Sequence, residues 1–261
     1  DLPAIKTWVD WVDPATIYEV PAFSDPILSG EDIILSAKNA GIPGNSSSFQ
    51  ALISINTAYS GHFSGSDRAG TLLFLFEGCG ASTVPEERRG TMAVVVRNGK
   101  IIHINRNCST LPDWPFSPSR NAGQAMPTIM SGIYNFTTCN HMTKSYCAAL
   151  HVVNDRVLRF YSQDSWYEST SGQINIHRRY SNSFMEKDSN SQGCLLIGAA
   201  GTGPYDEYAR YAAALGIINS GEPGTRYYQY WVSGKVVIDR SFGRDYLRAV
   251  GYPDAAIDAL G

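Results

Sequence analysis

The stretch GTMAVVVRNGKIIHINRN, Gly90 to Asn107, carries two apolar, β-branched runs joined by Asn98-Gly99. Asn-Gly between such runs is a strong hairpin signal, because a two-residue turn needs positive φ at both positions. The segment therefore reads as strand, turn, strand. Just upstream, GTLLFLFEG (Gly70 to Gly78) has an apolar core from Leu72 to Phe76. That is strand length, far short of the roughly 20 residues of a membrane span. Downstream, SGIYNFTT, YCAALHVVN, VLRFYS and QINIH continue the strand pattern, after a Pro-rich loop from Leu111 to Pro127. YYQYWVSGKVVIDRSF reads as another strand–turn–strand, with Ser233-Gly234 at its turn.

Helices are fewer. YDEYARYAAALGII is the clearest, with Asp206 and Glu207 near its start, where acidic groups suit the helix dipole. RDYLRAVGYPDAAIDALG closes the chain as short helices. Near the start, Ile5, Trp8, Val9 and Val12 fall at helical spacing, and SFQALISINTAY fits either a strand or a short helix. Strand signals recur without an alternating βαβ series. The expected fold is mainly β with appended helices (α+β), a mixed or antiparallel β-sandwich. Residues 1–70 are expected to form an N-terminal segment packed on the core, and residues 71–261 the main domain.

The 261 residues are 43% hydrophobic and 17% charged, with a net charge of −3. This is globular composition. No block of like charge favours nucleic acid or an anionic membrane surface, so neither is an expected partner. Low charge, 24 glycines and 15 tyrosines suit an extracytoplasmic protein of strands and loops. The opening residues DLPAIKTW do not read as a signal peptide.

Five cysteines are present: Cys79, Cys108, Cys139, Cys147 and Cys194. An odd count leaves at least one without an intrachain partner. Cys139 with Cys147, across a hairpin, and Cys79 with Cys108 are possible pairs, which would leave Cys194. Five buried thiols are the other reading. A nucleophilic cysteine needs a nearby imidazole, because the thiolate is the reactive species. All five histidines precede Cys194, so a nucleophile there excludes the papain-like order, cysteine first. In QINIH, Ile174 and Ile176 share one face while Asn175 and His177 share the other. Gly193 permits a tight turn with positive φ. The Gly193 and Cys194 amides can then bind an oxyanion. Ser191 can bond the imidazole or the turn. His103, His141 and His151 lack ligand-like spacing with acids, so no metal site is expected.

His177, with Ser191-Gln192-Gly193-Cys194 beginning fourteen positions later, resembles the catalytic motif of YkuD-type L,D-transpeptidases. AVVVRNGKIIHINRN is similar to that family's opening hairpin, and MPTIMSGIYNF to its Thr-Pro-x-Gly-x-aromatic segment. The resemblance covers roughly residues 90–200. It implies an L,D-transpeptidase-type sandwich with residues 71–261 as the catalytic domain. It also implies a Cys194 nucleophile, a His177 base, oxyanion amides at Gly193 and Cys194, and a supporting Ser191. The implied reaction cleaves a peptidoglycan stem peptide through a Cys194 thioester and releases D-alanine. The thioester then passes to an amine or to water. No metal or organic cofactor is implied. The partners are peptidoglycan stem peptides, and the location is secreted, periplasmic or cell-envelope in a bacterium. Gln192 and Leu196 depart from the family pattern. Arg178 and Arg179 stand where glycine is usual, and with Tyr134 they are the expected substrate-binding residues. The competing reading is a degenerate module that binds cell-wall peptide without turnover. The loop between His177 and Ser191 is the expected determinant of substrate choice.

Overall fold

The computed structural model describes residues 20, 22–116, 124–141, 147–170, 172–179, 191–198, 207–221 and 227–261. The helical spacing read at residues 5–12 lies outside these, as do Asp206 and residues 180–190 of the loop between His177 and Ser191.

Among the described residues three helices come first: α1 (Gly30–Asn39), α2 (Ser47–Thr57) and α3 (Gly65–Ala69). Ser29, Ser46 and Ser64 cap them by accepting from backbone amides in the first turn. SFQALISINT, open to either reading in sequence, is helical. Ser46 starts the helix, and Phe49, Leu52 and Ile55 bury one stripe against the sheet.

Eleven strands follow among the described residues. They are β1 (Thr71–Glu77), β2 (Thr91–Arg97), β3 (Lys100–Cys108), β4 (Met126–Ile129), β5 (Gly132–His141), β6 (Cys147–Val153), β7 (Val157–Ser162), β8 (Ser165–Ser169), β9 (Asn175–Arg178), β10 (Leu195–Ile197) and β11 (Ser233–Asp239). Helix α4 (Glu207–Leu215) lies between β10 and β11, and α5 (Arg244–Val250) and α6 (Asp254–Leu260) close the chain. Asn98 and Gly99 have φ of 50° and 68°, the mirror-type turn the hairpin requires.

Eight strands form one sheet in the order β10-β9-β6-β5-β11-β1-β2-β3, and β4-β7-β8 form a second. The large sheet is mixed: β1 runs parallel to β11 and β9 parallel to β10, the rest antiparallel. Its two ends meet. Ser109 and Leu196 exchange both backbone hydrogen bonds, at 2.8 and 2.9 Å, so the sheet is nearly a barrel. The fold is thus mainly β with helices, an α+β arrangement.

Curling gives the sheet an inside. Leu73, Leu75, Val95, Phe136, Leu150, Ile176, Leu195 and Val236 point inward and pack with Tyr208, Tyr211 and Leu215 of α4. On the outside, Leu72, Phe74, Phe76, Val94 and Val96 pack under α1 and α2. Residues from Ile27 onward therefore share a core with the central strands. A third cluster joins β7 to α5 and α6 through Phe160, Leu247, Tyr252 and Ile257.

Two expectations are corrected. Ser233-Gly234 opens β11 and makes no turn. Its glycine serves close packing: a Cβ there would lie 2.1 Å from the Thr71 carbonyl oxygen and 2.8 Å from the Phe136 ring. Cys79 and Cys108 are separate buried thiols rather than a disulfide, and burial pushes both up to about 12. Cys139 and Cys147 are not directly opposed either. The β5–β6 register pairs Cys139 with Ala149 and His141 with Cys147. Among the described residues, no helix is long and apolar enough to cross a membrane.

Candidate active site

The site lies at the β10 end of the large sheet, on its outward face. Alternation along β9 sends Ile176 into the core and His177 to the other side. β5 alternates likewise, and its final residue, His141, shares a face with Cys139. β6 separates β5 from β9, a gap of about 10 Å between strand axes. The β6–β9 register, continued by one pair, sets Ala149 opposite His177. Alanine is small enough for the two imidazoles to meet across it. Their centroids are 4.1 Å apart with the ring planes inclined by 26°.

Cys194 immediately precedes β10 and is half-buried. Its Sγ lies 3.8 Å from His141 Nε2. The side-chain ligand atoms of His141, His177 and Cys194 all fall within 4.8 Å of one another. The sequence pointed to His177 beside Cys194. The structure adds His141, from 53 residues upstream, as the imidazole in hydrogen-bond range of the sulfur.

The protonation of the pair follows from its partners. His177 Nδ1 sits 2.7 Å from the Arg178 carbonyl oxygen. A carbonyl only accepts, so Nδ1 carries the hydrogen and Nε2 keeps its lone pair. Burial, with the second imidazole alongside, pulls His177 down to about 3. Burial also lowers His141. Burial and the neighbouring ring thus disfavour a charge on either imidazole.

The turn before Cys194 closes on itself. Ser191 Oγ donates to the Cys194 carbonyl at 2.6 Å, and the Gly193 amide donates to Ser191 Oγ at 3.2 Å. Ser191 thus holds the turn. Gly193 has φ of 130°, and a Cβ there would lie 2.5 Å from Pro127 Cγ. Only glycine fits both constraints. The Gly193 amide is engaged within the turn, so its service as an oxyanion donor requires release from Ser191.

Below the turn lies a buried polar support that sequence reading missed. Asp113 Oδ2 accepts from the Ser191 amide, and the Asp113 amide donates to the Ser191 carbonyl, each at 3.0 Å. Arg88 donates to the Asp113 carbonyl and Arg179 to the Arg88 carbonyl. Nothing in local spacing announces these residues; the chain brings them together from three separate loops.

The three expected substrate-binding residues are placed otherwise. Arg179 is fully buried in that support. Arg178 alternates onto the face of Ile176, opposite to His177, and contributes its carbonyl to the His177 ring. Tyr134 is buried in the inner core with its hydroxyl on the Met130 carbonyl. It stands seven residues along β5 from His141, about 23 Å at strand rise.

A neutral imidazole pair against a half-buried thiol can take up the thiol proton and leave a thiolate. Two imidazoles and a thiolate also make a donor set for a soft divalent cation, which the spacing of histidines and acids in the sequence had not suggested. No family model, no curated protein and no solved structure matches the chain.

Proposed function

We propose that the protein is a cysteine acyltransferase or hydrolase acting on peptidoglycan stem peptides, with Cys194 as nucleophile. The observation that carries this reading is the 3.8 Å approach of Cys194 Sγ to His141 Nε2, backed by the stacked His177. The order of His177, Ser191, Gly193 and Cys194, and the hairpin at Gly90–Asn107, support an L,D-transpeptidase-type sandwich at the finer level.

The chemistry follows from the groups present. The imidazole pair removes the thiol proton, His141 Nε2 being nearest. The thiolate attacks the stem-peptide carbonyl; after collapse, the C–N bond breaks and the stored proton leaves with the amine of D-alanine. The Cys194 thioester then passes to an acceptor amine or to water. Ser191 and Asp113 hold the turn that aims the sulfur. A compartment outside the cytoplasm, secreted, periplasmic or cell-envelope, follows from the substrate.

The test is incubation with a stem tetrapeptide. Release of D-alanine, with an acylated Cys194 trapped by rapid acid quench, supports the reading. Absence of both, in protein that binds the peptide, defeats it. One observation favours the alternative of a non-catalytic peptide-binding module: the Gly193 amide is held by Ser191 Oγ. That alternative requires saturable peptide binding unchanged by Cys194→Ser and no D-alanine.

A further inference from the structure

Three strand ends deliver two imidazoles and one thiol to a single point, within 4.8 Å of one another. A tetrahedral zinc ion holds imidazole nitrogens at about 2.0–2.1 Å and thiolate sulfur at about 2.3 Å, so its donors stand about 3.3–3.6 Å apart. The Cys194–His141 separation, 3.8 Å, is close to that already. The remaining contraction is on the order of 1 Å, within the range of side-chain torsions. The His177 Nδ1–H donated to the Arg178 carbonyl is the outer hydrogen bond that orients a metal-binding imidazole and leaves Nε2 to the ion. The donor set also selects the metal. It contains no carboxylate, which argues against magnesium and calcium, and nitrogen with thiolate suits zinc. Three protein ligands leave the fourth tetrahedral position to an exchangeable ligand such as water.

We propose that His141 Nε2, His177 Nε2 and Cys194 Sγ form a three-ligand zinc site with water in the fourth position. Binding forms one Zn–S and two Zn–N bonds, and the Cys194 thiol proton leaves to solvent. The bound thiolate and both imidazoles are then withdrawn from acyl chemistry, so zinc and acylation at Cys194 exclude each other. That consequence rests on the acyl-transfer reading; metal binding itself does not. Zinc thereby acts as a reversible block on the site.

The test uses Co²⁺ as the spectroscopic probe, titrated into reduced, chelator-treated protein. The expected result is one equivalent bound, intense tetrahedral visible bands, a thiolate-to-cobalt charge-transfer band, and displacement of both by Zn²⁺. Cys194→Ser removes the charge-transfer band, and His141→Ala, a half-exposed position, weakens Co²⁺ binding at least tenfold while far-ultraviolet circular dichroism is unchanged. Weak octahedral bands without charge transfer overturn the proposal, as does unchanged affinity in His141→Ala. In a second arm, saturating Zn²⁺ protects Cys194 from iodoacetamide; equal labelling with and without zinc overturns the proposal. Failure of the acyl-transfer reading registers separately, as absence of an acyl adduct on metal-free protein, and leaves the cobalt spectra as they are.

Discussion

The centre of the large sheet and its β10 end obey the same alternation but put it to different use. In β1 every residue is buried: Leu73 and Leu75 enter the inner core, and Leu72, Phe74 and Phe76 pack under the N-terminal helices. At the other end, Ile174, Ile176, Leu195 and Ile197 still face the inner core. The opposite face carries Asn175, His177 and His141 instead, with Cys194 beside them. The cysteines show the same division. Cys79 and Cys108 lie in apolar surroundings that hold their thiols protonated, whereas Cys194 meets an imidazole. The centre buries apolar side chains on both faces, and the end gathers two imidazoles and a thiol on one.

Substitutions can break this division, in descending order of effect. Cys194→Ala should eliminate the acyl adduct and turnover entirely while thermal unfolding stays near that of the parent. His141→Ala should slow acylation by roughly 10²–10⁴-fold, the usual contribution of a positioned base, read in single-turnover kinetics. Its effect should exceed that of any change at Tyr134, which lies in the core. Phe74→Ala should remove about 3–5 kcal/mol in urea denaturation, because its ring is fully buried under the N-terminal helices, whereas Ile176→Val at the other end should cost about 1 kcal/mol. Gly193→Ala should cost about 1–3 kcal/mol through backbone strain and contact with Pro127, with a larger proportional loss of acylation than of stability.

The remaining prediction concerns pH dependence. Burial holds His177 at about 3 and His103 at about 4, against 6.5 for the free side chain. The unfolded chain therefore binds protons that the folded chain refuses, so stability is greatest above pH 6.5 and falls as pH drops. The His103 part of the loss is complete near pH 4 and the His177 part near pH 3. Thermal melts between pH 7 and pH 4 should show this slope, and His177→Gln should flatten it.

The hairpin at Asn98-Gly99, the strand at Leu72–Phe76 and the closing helices were legible because each is fixed by local signals: turn chemistry, apolar runs and residue pattern. The Ser191–Cys194 turn was legible for the same reason, since Gly193 answers a local need for positive φ. His141 was not. It reaches Cys194 through the β5–β6–β9 register and the small Ala149, and no spacing along the chain encodes that meeting. One more step of the alternation in NFTTCNH would have placed it on the face of Cys139. Tyr134 and Arg179 misled because aromatic and guanidinium groups look alike in sequence whether they serve a ligand or the interior. Gly234 misled because a glycine needed for close approach of β1 and β5 reads as a turn residue.

The central claim is that Cys194, whose Sγ lies 3.8 Å from His141 Nε2, is the reactive cysteine. Incubation of the native, metal-free protein with a carbapenem-type acylating agent, followed by intact mass and peptide mapping, tests it most directly. The account predicts a single adduct on Cys194, greatly slowed in His141→Ala, with Cys79 and Cys108 unmodified until the protein is unfolded. No adduct, or an adduct on another cysteine at an equal or greater rate, would contradict it.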